Sequence, residues 1–238
     1  MSPQASGAPT SQADEAKLRE EIVRTCMRMV ELGVNQGTSG NVSVRLGTRF
    51  LVTPSGIPYE EMTPRQIALM DVDGSYAGPC RPTTEWRIHG GIMRARQAAG
   101  AVIHTHSMYA TTVACLRREI PALHYYVAVG GGPTIRCADY ATYGTQQLAD
   151  NVLAALAERD ACLLANHGLV VVGATLAQTL RRTFDIETLA RQFVYALQAG
   201  EPVILPDDEI ERVRLKMRAY GTQEADDPEL IGTDTLPD

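Results

Sequence analysis

At 238 residues, with 45% apolar and 21% charged side chains, the chain has the make-up of one globular domain with a sizeable core. A net charge of −6 argues against a general nucleic-acid-binding surface. Five scattered cysteines form no C-x-x-C pair, which fits a reducing compartment without a disulfide framework.

No apolar run approaches the ~18 residues of a membrane span, and the first residues lack a basic stretch followed by an apolar one. The expected setting is therefore the cytoplasm, with no membrane partner. Lysine is scarce: Lys17 and Lys216 stand against twenty arginines, both in charged, helix-like segments. A Schiff-base mechanism needs a lysine desolvated in a pocket, so carbonyl chemistry here points to a metal instead.

Residues 1–13 are small, polar and Pro-bearing, and are expected to be disordered. From Asp14 to Gly33, Leu18, Ile22, Cys26, Met29 and Val30 draw an apolar stripe at helical spacing. Two strand-like runs, 42–45 and 49–52, follow a Gly/Ser/Thr loop at 37–41 and precede a second such loop, Thr53-Pro54-Ser55-Gly56. Residues 66–72 read as a strand ended by Asp73-Gly74, and Pro82-Thr83-Thr84-Glu85 as the start of a helix to about Gln97. A short helix is expected over 108–116 and a strand over 121–129, which leads into a turn at Gly130-Gly131-Gly132. A helix over 146–158, a buried strand over 161–165 resuming at 169–172, a long helix over 175–198 and a last helix over 207–220 complete the pattern. This predicts a single α/β or α+β domain over 14–220, with a mobile acidic tail over 221–238.

Chemistry concentrates at Ala101-Val102-Ile103-His104-Thr105-His106-Ser107. In a strand, His104 and His106 face the same way, a ready metal chelate. His167, between an apolar strand and Gly168, is the candidate third ligand, since a catalytic zinc site takes three protein ligands and keeps one position open. Glu85 is the candidate base. It could also serve only as a first-turn acid, or pair with His89 four residues on as a rival metal site. Three loops rich in small and hydroxyl residues, 38–41, 53–56 and 83–84, could present N–H and O–H donors to a phosphate. Tyr125 is a candidate proton donor, its alternative being an interior aromatic.

Thr38-Ser39-Gly40-Asn41-Val42-Ser43, Thr53-Pro54-Ser55-Gly56, Thr84-Glu85-Trp86, His104-Thr105-His106, His124-Tyr125 and Asn166-His167-Gly168 together resemble the class II aldolase/adducin family, in its fuculose-phosphate aldolase branch. The resemblance implies a three-layer αβα fold with a mostly antiparallel central sheet, assembled as a C4 homotetramer with active sites between subunits. It implies Zn2+ (with Mn2+ or Co2+ as substitutes) on His104, His106 and His167, and Glu85 as acid/base. Phosphate would sit on Thr38, Gly40, Asn41, Ser55, Gly56, Thr83 and Thr84. Tyr125 would reach the aldehyde half from a neighbouring subunit, and Tyr220 would help close the site. The implied reaction is reversible cleavage of a ketose 1-phosphate, L-fuculose 1-phosphate-like or a 5-deoxy- or 5-methylthioribulose 1-phosphate. The products would be dihydroxyacetone phosphate and an aldehyde, formed through a metal-bound enediolate. A pentulose-phosphate 4-epimerase, a decarboxylase or a dehydratase would use related sites, although the epimerases carry aspartate at the acid/base position. Adducin-like binding modules lack the metal ligands that this sequence has.

Overall fold

Among residues 12–219, which the computed structural model describes, eight strands form one sheet with helices on both faces. In chain order the elements are α1 (Gln12–Glu31), β1 (Asn41–Leu46), β2 (Arg49–Val52), β3 (Ala68–Met70), β4 (Tyr76–Ala77), α2 (Trp86–Ala95), β5 (Ala101–Thr105), α3 (Met108–Cys115), β6 (Arg136–Ala138), α4 (Gln146–Ala155), β7 (Ala161–Leu164), β8 (Gly168–Gly173), α5 (Leu176–Ala199) and α6 (Asp207–Ala219). The strands lie in the order β4-β3-β2-β1-β5-β8-β7-β6. Every neighbouring pair is antiparallel except β6 and β7.

Period-two alternation explains the layers. Val102, Val170, Val172, Cys162 and Leu164 face one side and pack with Ile88 and Ile92 of α2 and Val152 of α4. Their neighbours face the other side. Val42, Val44 and Ile103 meet Ile22, Cys26 and Met29 of α1, while Leu163, Leu169 and Val171 meet Val113 of α3 and Ile186 and Leu189 of α5. The result is the expected three-layer αβα arrangement. No helix among the described residues is long and apolar enough to cross a membrane.

Several local expectations change. Helix α1 begins at Gln12, inside the segment expected to be disordered; residues 1–11, Tyr220 and the 221–238 tail lie outside the described residues. The strand expected over 66–72 shrinks to Ala68–Met70, because Gln66 ends a 3-10 turn in which its Oε1 accepts from the Thr63 N–H at 2.8 Å. The chain then reverses at 71–74 into β4, which was not expected. Helix α2 starts at Trp86, not at Pro82, since Pro82 is extended and bridged to Pro54. It ends at Ala95, where Arg45 donates to the carbonyls of Met93, Arg96 and Ala99 at 2.7–2.9 Å. The run 121–129 is not a strand. Tyr125–Gly130 form a 3-10 helix opened by His124 Nδ1, which accepts from the Tyr126 N–H, and its Val127 and Ala128 bury against the α5 side of the core. A short apolar run does not by itself distinguish strand from helix.

The antiparallel order gathers four chain segments at one sheet end. Asn41 at the start of β1 pairs with His104 near the end of β5, and Thr105 pairs with Leu169 at the start of β8. At the same end, Val52 closes β2 opposite Ser43, and the Pro54–Pro82 bridge delivers the start of α2. Gly168 permits the closest of these approaches: a Cβ there would lie 2.5 Å from Thr105 O and 3.0 Å from His106 Cδ2. Gly168→Ala is therefore expected to destabilise the fold by about 1–3 kcal/mol, as overpacking does. It should also displace His106 and so weaken the metal binding that the sequence leads one to expect there. Urea unfolding and metal analysis on the variant check this, and wild-type values in both would refute it.

Candidate active site

The site begins with strand parity. His104 lies on the α2 face of the sheet and is fully buried, with Asn41 on the neighbouring strand directly opposite. His106 continues past the strand end. His167 sits in the three-residue turn between β7 and β8, where Asn166 takes φ 53°, a left-handed conformation that asparagine tolerates. Glu85 stands at the N-cap position of α2 and is 5% exposed.

These four side chains converge, with a ligand atom from each within 4.8 Å of all the others. His104 Nε2 lies 2.9 Å from Glu85 Oε2 and 3.0 Å from His106 Nε2, and His167 Nε2 lies 3.3 Å from Glu85 Oε1. His104 Nδ1 is 3.0 Å from the Leu169 carbonyl, which can only accept, so in the neutral ring the proton sits on Nδ1 and the Nε2 lone pair points inward. Glu85 Oε1 is buried and accepts no hydrogen bond. Converging lone pairs beside an unsatisfied carboxylate oxygen fit a divalent cation, and three imidazoles with a nearby carboxylate suit zinc chemistry.

Burial pushes the imidazoles of His106 and His167 down to about 4, with the charge of His104 adding to the effect, so both offer lone pairs at neutral pH. Burial works against the Glu85 carboxylate as well. The His104 charge and hydrogen bond, reinforced by His167 and Asn41, outweigh it and hold Glu85 well below the usual carboxylate range. His104 is desolvated too, but Glu85 more than offsets this and raises it.

The rival pair Glu85/His89 does not form. His89 is fully buried, with Nδ1 2.7 Å from Ser43 Oγ and Nε2 2.6 Å from Asn41 Oδ1, so both ring nitrogens are occupied away from the cluster. Asn41, expected among the phosphate ligands, lines the cavity described next and also donates from Nδ2 to Glu85 Oε2 at 3.2 Å.

A cavity of about 310 Å³ joins the cluster to the expected phosphate loops. Thr38, Gly40, Asn41, Ser55, Gly56, Thr83 and Thr84 all line it, together with Glu85, His106 and His167. Loops 53–56 and 81–84 are stitched together by Ser55 N–H to Arg81 O and Thr83 N–H to Thr53 O, each 3.0 Å. Among the described residues, no lysine or arginine lines the cavity. Tyr125 does not line it either; its ring is half exposed and stacked on His124.

Three features escaped the sequence. Tyr140 and Tyr143 line the cavity from the segment between β6 and α4, which is hard to place while β6 is unrecognised. Glu187 of α5 accepts from Ser107 Oγ, Tyr109 N–H and Ala110 N–H at 2.7–2.8 Å, and so caps α3 immediately after His106. An interior carboxylate on a long helix would have been the signal for it.

The chain is similar to known proteins over most of its length. Residues 20–194 match the family described as Class II Aldolase and Adducin N-terminal domain. The 5-methylthioribulose-1-phosphate/5-deoxyribulose-1-phosphate aldolase of Rhodospirillum rubrum is 45% identical over 86% of this chain and 92% of its own length. The L-fuculose phosphate aldolase of Escherichia coli K12 is 43% identical over 86% of this chain and 96% of its own. A solved L-fuculose 1-phosphate aldolase superposes with a TM-score of 0.83 at 37% identity, covering 89% of this chain and 98% of its own.

Two expectations follow. Unfolded imidazoles take up protons as pH falls through about 6.5, whereas His106 and His167 resist until about 4 and His89 until about 3. The unfolded state thus binds more protons across that window, and metal-free protein should lose stability as pH falls from about 6.5 towards 4. His104 works in the opposite sense, one group against three. Urea midpoints of chelated protein across this range test the sign; a flat profile would refute it. Glu187→Ala should cost about 1–3 kcal/mol by stranding buried donors. It should also weaken metal binding through His106, as read by competition with a chromophoric chelator.

Proposed function

The chain belongs to the class II aldolase and adducin family, a class II aldolase of the fuculose/methylthioribulose-phosphate type, and from that premise we propose that it reversibly cleaves a ketose 1-phosphate to dihydroxyacetone phosphate and an aldehyde. The observation that carries this reading is the single cavity in which a three-histidine, one-carboxylate cluster meets loops of hydroxyls and backbone N–H groups. One end suits a carbonyl that must carry negative charge; the other suits a phosphate.

His104, His106 and His167 would hold the cation, zinc by its donor set, with Glu85 beside it. When bound, such an ion supplies Lewis-acid stabilisation of charge on the substrate's C2 and C3 oxygens. The remaining work belongs to the chain. Hydroxyls of Thr38, Ser55, Thr83 and Thr84 and backbone at Gly40 and Gly56 orient the phosphate and fix which carbon meets Glu85. The spare amide hydrogen of Asn41 adds one more donor. As the C3–C4 bond breaks, C3 gains carbanion character shared with the C2 carbonyl, and the Glu85 carboxylate, after taking up the proton released from the C4 hydroxyl, passes it to C3. In the reverse direction Glu85 removes it. Glu85 is held as the carboxylate by its neighbours, which suits it as the base for dihydroxyacetone phosphate.

Tyr125 would take part in moving the C4 hydroxyl proton. Its half-exposed position outside this chain's cavity supports a role across a subunit boundary, in a homotetramer with shared sites. Tyr220 keeps the role of helping to close the site that the family resemblance implies. The aldehyde half separates the two kinds of relative: a fuculose phosphate would release lactaldehyde and a methylthioribulose phosphate a methylthio-aldehyde.

A panel of ketose 1-phosphates, with L-ribulose 5-phosphate as the epimerase control, assayed for dihydroxyacetone phosphate before and after chelation, tests the reading. Cleavage of at least one ketose 1-phosphate that is lost on chelation and restored by zinc is expected; equal activity with and without metal would refute it. Glu85→Gln should retain bound metal yet lower turnover by about 10²–10⁴-fold. Loss of the metal instead would make Glu85 chiefly a ligand.

A further inference from the structure

We propose that His89 is a positioning residue for the reaction: it fixes the amide of Asn41, and through it the Glu85 carboxylate, by a one-way chain of buried hydrogen bonds that starts at Ser43. The proposal rests on the assignment of Glu85 as the group that moves the C3 proton.

The direction of the chain follows from donor and acceptor chemistry. A carboxylate only accepts, so the Asn41 group facing Glu85 Oε2 at 3.2 Å is the NH2. That leaves Asn41 Oδ1 facing His89 Nε2 at 2.6 Å, and Oδ1 can only accept, so Nε2 carries the proton. A fully buried imidazole with no carboxylate in contact is neutral, so Nδ1 bears the lone pair and Ser43 Oγ donates to it at 2.7 Å. Each assignment forces the next. If the His89 proton moved to Nδ1, Asn41 Oδ1 would face a lone pair and its amide would lose the reason for its orientation.

The placement is costly unless it is used. Ser43 and His89 are 0% exposed, Asn41 3% and Glu85 5%. Burying such groups is tolerated only when they are hydrogen-bonded, and apolar residues would fill the same space more simply. On this face of the sheet, Phe50, Val52, Val102 and Val170 are apolar, whereas inward-facing Asn41 and Ser43 are polar. The polar track runs from Ser43 through His89 and Asn41 to Glu85. Nothing in it touches the cavity except Asn41 and Glu85, so the track acts through them.

Two readouts test this. The first is independent of turnover. With five histidines per chain, nitrogen-15 histidine labelling of metal-free and zinc-loaded enzyme should show His89 protonated on Nε2 and bare on Nδ1 in both. A His89 ring protonated on Nδ1 would overturn the chain. The second is solvent-deuterium exchange into dihydroxyacetone phosphate, followed by proton NMR. His89→Leu should slow exchange at least tenfold, with bound zinc and KM little changed. His89→Gln, whose amide N–H can reach Asn41 Oδ1, should recover most of the rate. Exchange at the wild-type rate in His89→Leu, or a Gln variant no better than Leu, would refute positioning. Ser43→Ala removes a single oxygen and serves if the Leu variant does not fold: a several-fold loss supports the chain, and an unchanged rate overturns it. Failure of the wild-type enzyme to exchange at all, with the His89 tautomer as assigned, would instead sink the aldolase reading and leave the hydrogen-bond chain standing.

Discussion

Three imidazole nitrogens and a carboxylate brought within 4.8 Å, largely out of water, set the terms for everything around them. Lone pairs that close repel unless a cation lies among them. The surrounding chain limits how far that repulsion can relax, with the His167 N–H bonded to Leu164 O at 3.0 Å. His104 is tied by Nδ1 to the Leu169 carbonyl, and the chain leaving His106 is held by Glu187. The cluster is therefore pre-organised for a cation, and in its absence Glu85 and His104 pair with each other. The antiparallel sheet makes this possible cheaply: the end of β5, the start of β8 and the start of β1 are neighbours by register alone. No long loop has to be ordered to bring the ligands together.

The opposite end of the cavity handles charge differently. The phosphate dianion of the proposed substrate, entering a chain of net charge −6, would meet no lysine or arginine among the described lining residues. Hydroxyls and backbone N–H groups must then supply the donors, a form of recognition that depends on geometry more than on net charge. The scarcity of lysine has the same consequence at the carbonyl. With Lys17 on α1 and Lys216 on α6, no lysine among the described residues lines the cavity, so no iminium would hold the carbanion charge of the proposed cleavage.

What could be read from residue order, and what could not, divides along physical lines. His104 and His106 were legible because strand periodicity places alternate residues on one face. His167 and Glu85 were legible because strand ends and helix starts carry local signals. The hydroxyl loops were legible as loops, and all of them reach the cavity. The parallel strand β6 and the two-residue β4 were not, since each is too short to show a period and exists through pairing with distant chain. The apolar run at 121–129 misled because burial against helices and burial in a sheet select the same side chains. The contacts of Asn41 with Glu85 and His89 were hidden for a related reason: these partners are 44 and 48 residues away, and nothing local announces them.

The site divides into fixed and open parts, and the relatives are named for different sugar phosphates. The cluster and phosphate loops are anchored by strand register, by the Pro54–Pro82 bridge and by the Arg45 contacts that hold the far end of α2. In the proposed reaction those parts would meet the half of the substrate that an aldol cleavage of any ketose 1-phosphate shares. Tyr140 and Tyr143 lie on a connecting segment and are largely exposed, and Tyr125 sits on the outer surface beside α5. Residues on such segments can change without disturbing the register that builds the cluster. Selection for a new aldehyde would thus act on the loop and surface tyrosines, while the buried track from Ser43 to Glu85 would be held by the chemistry common to all of them.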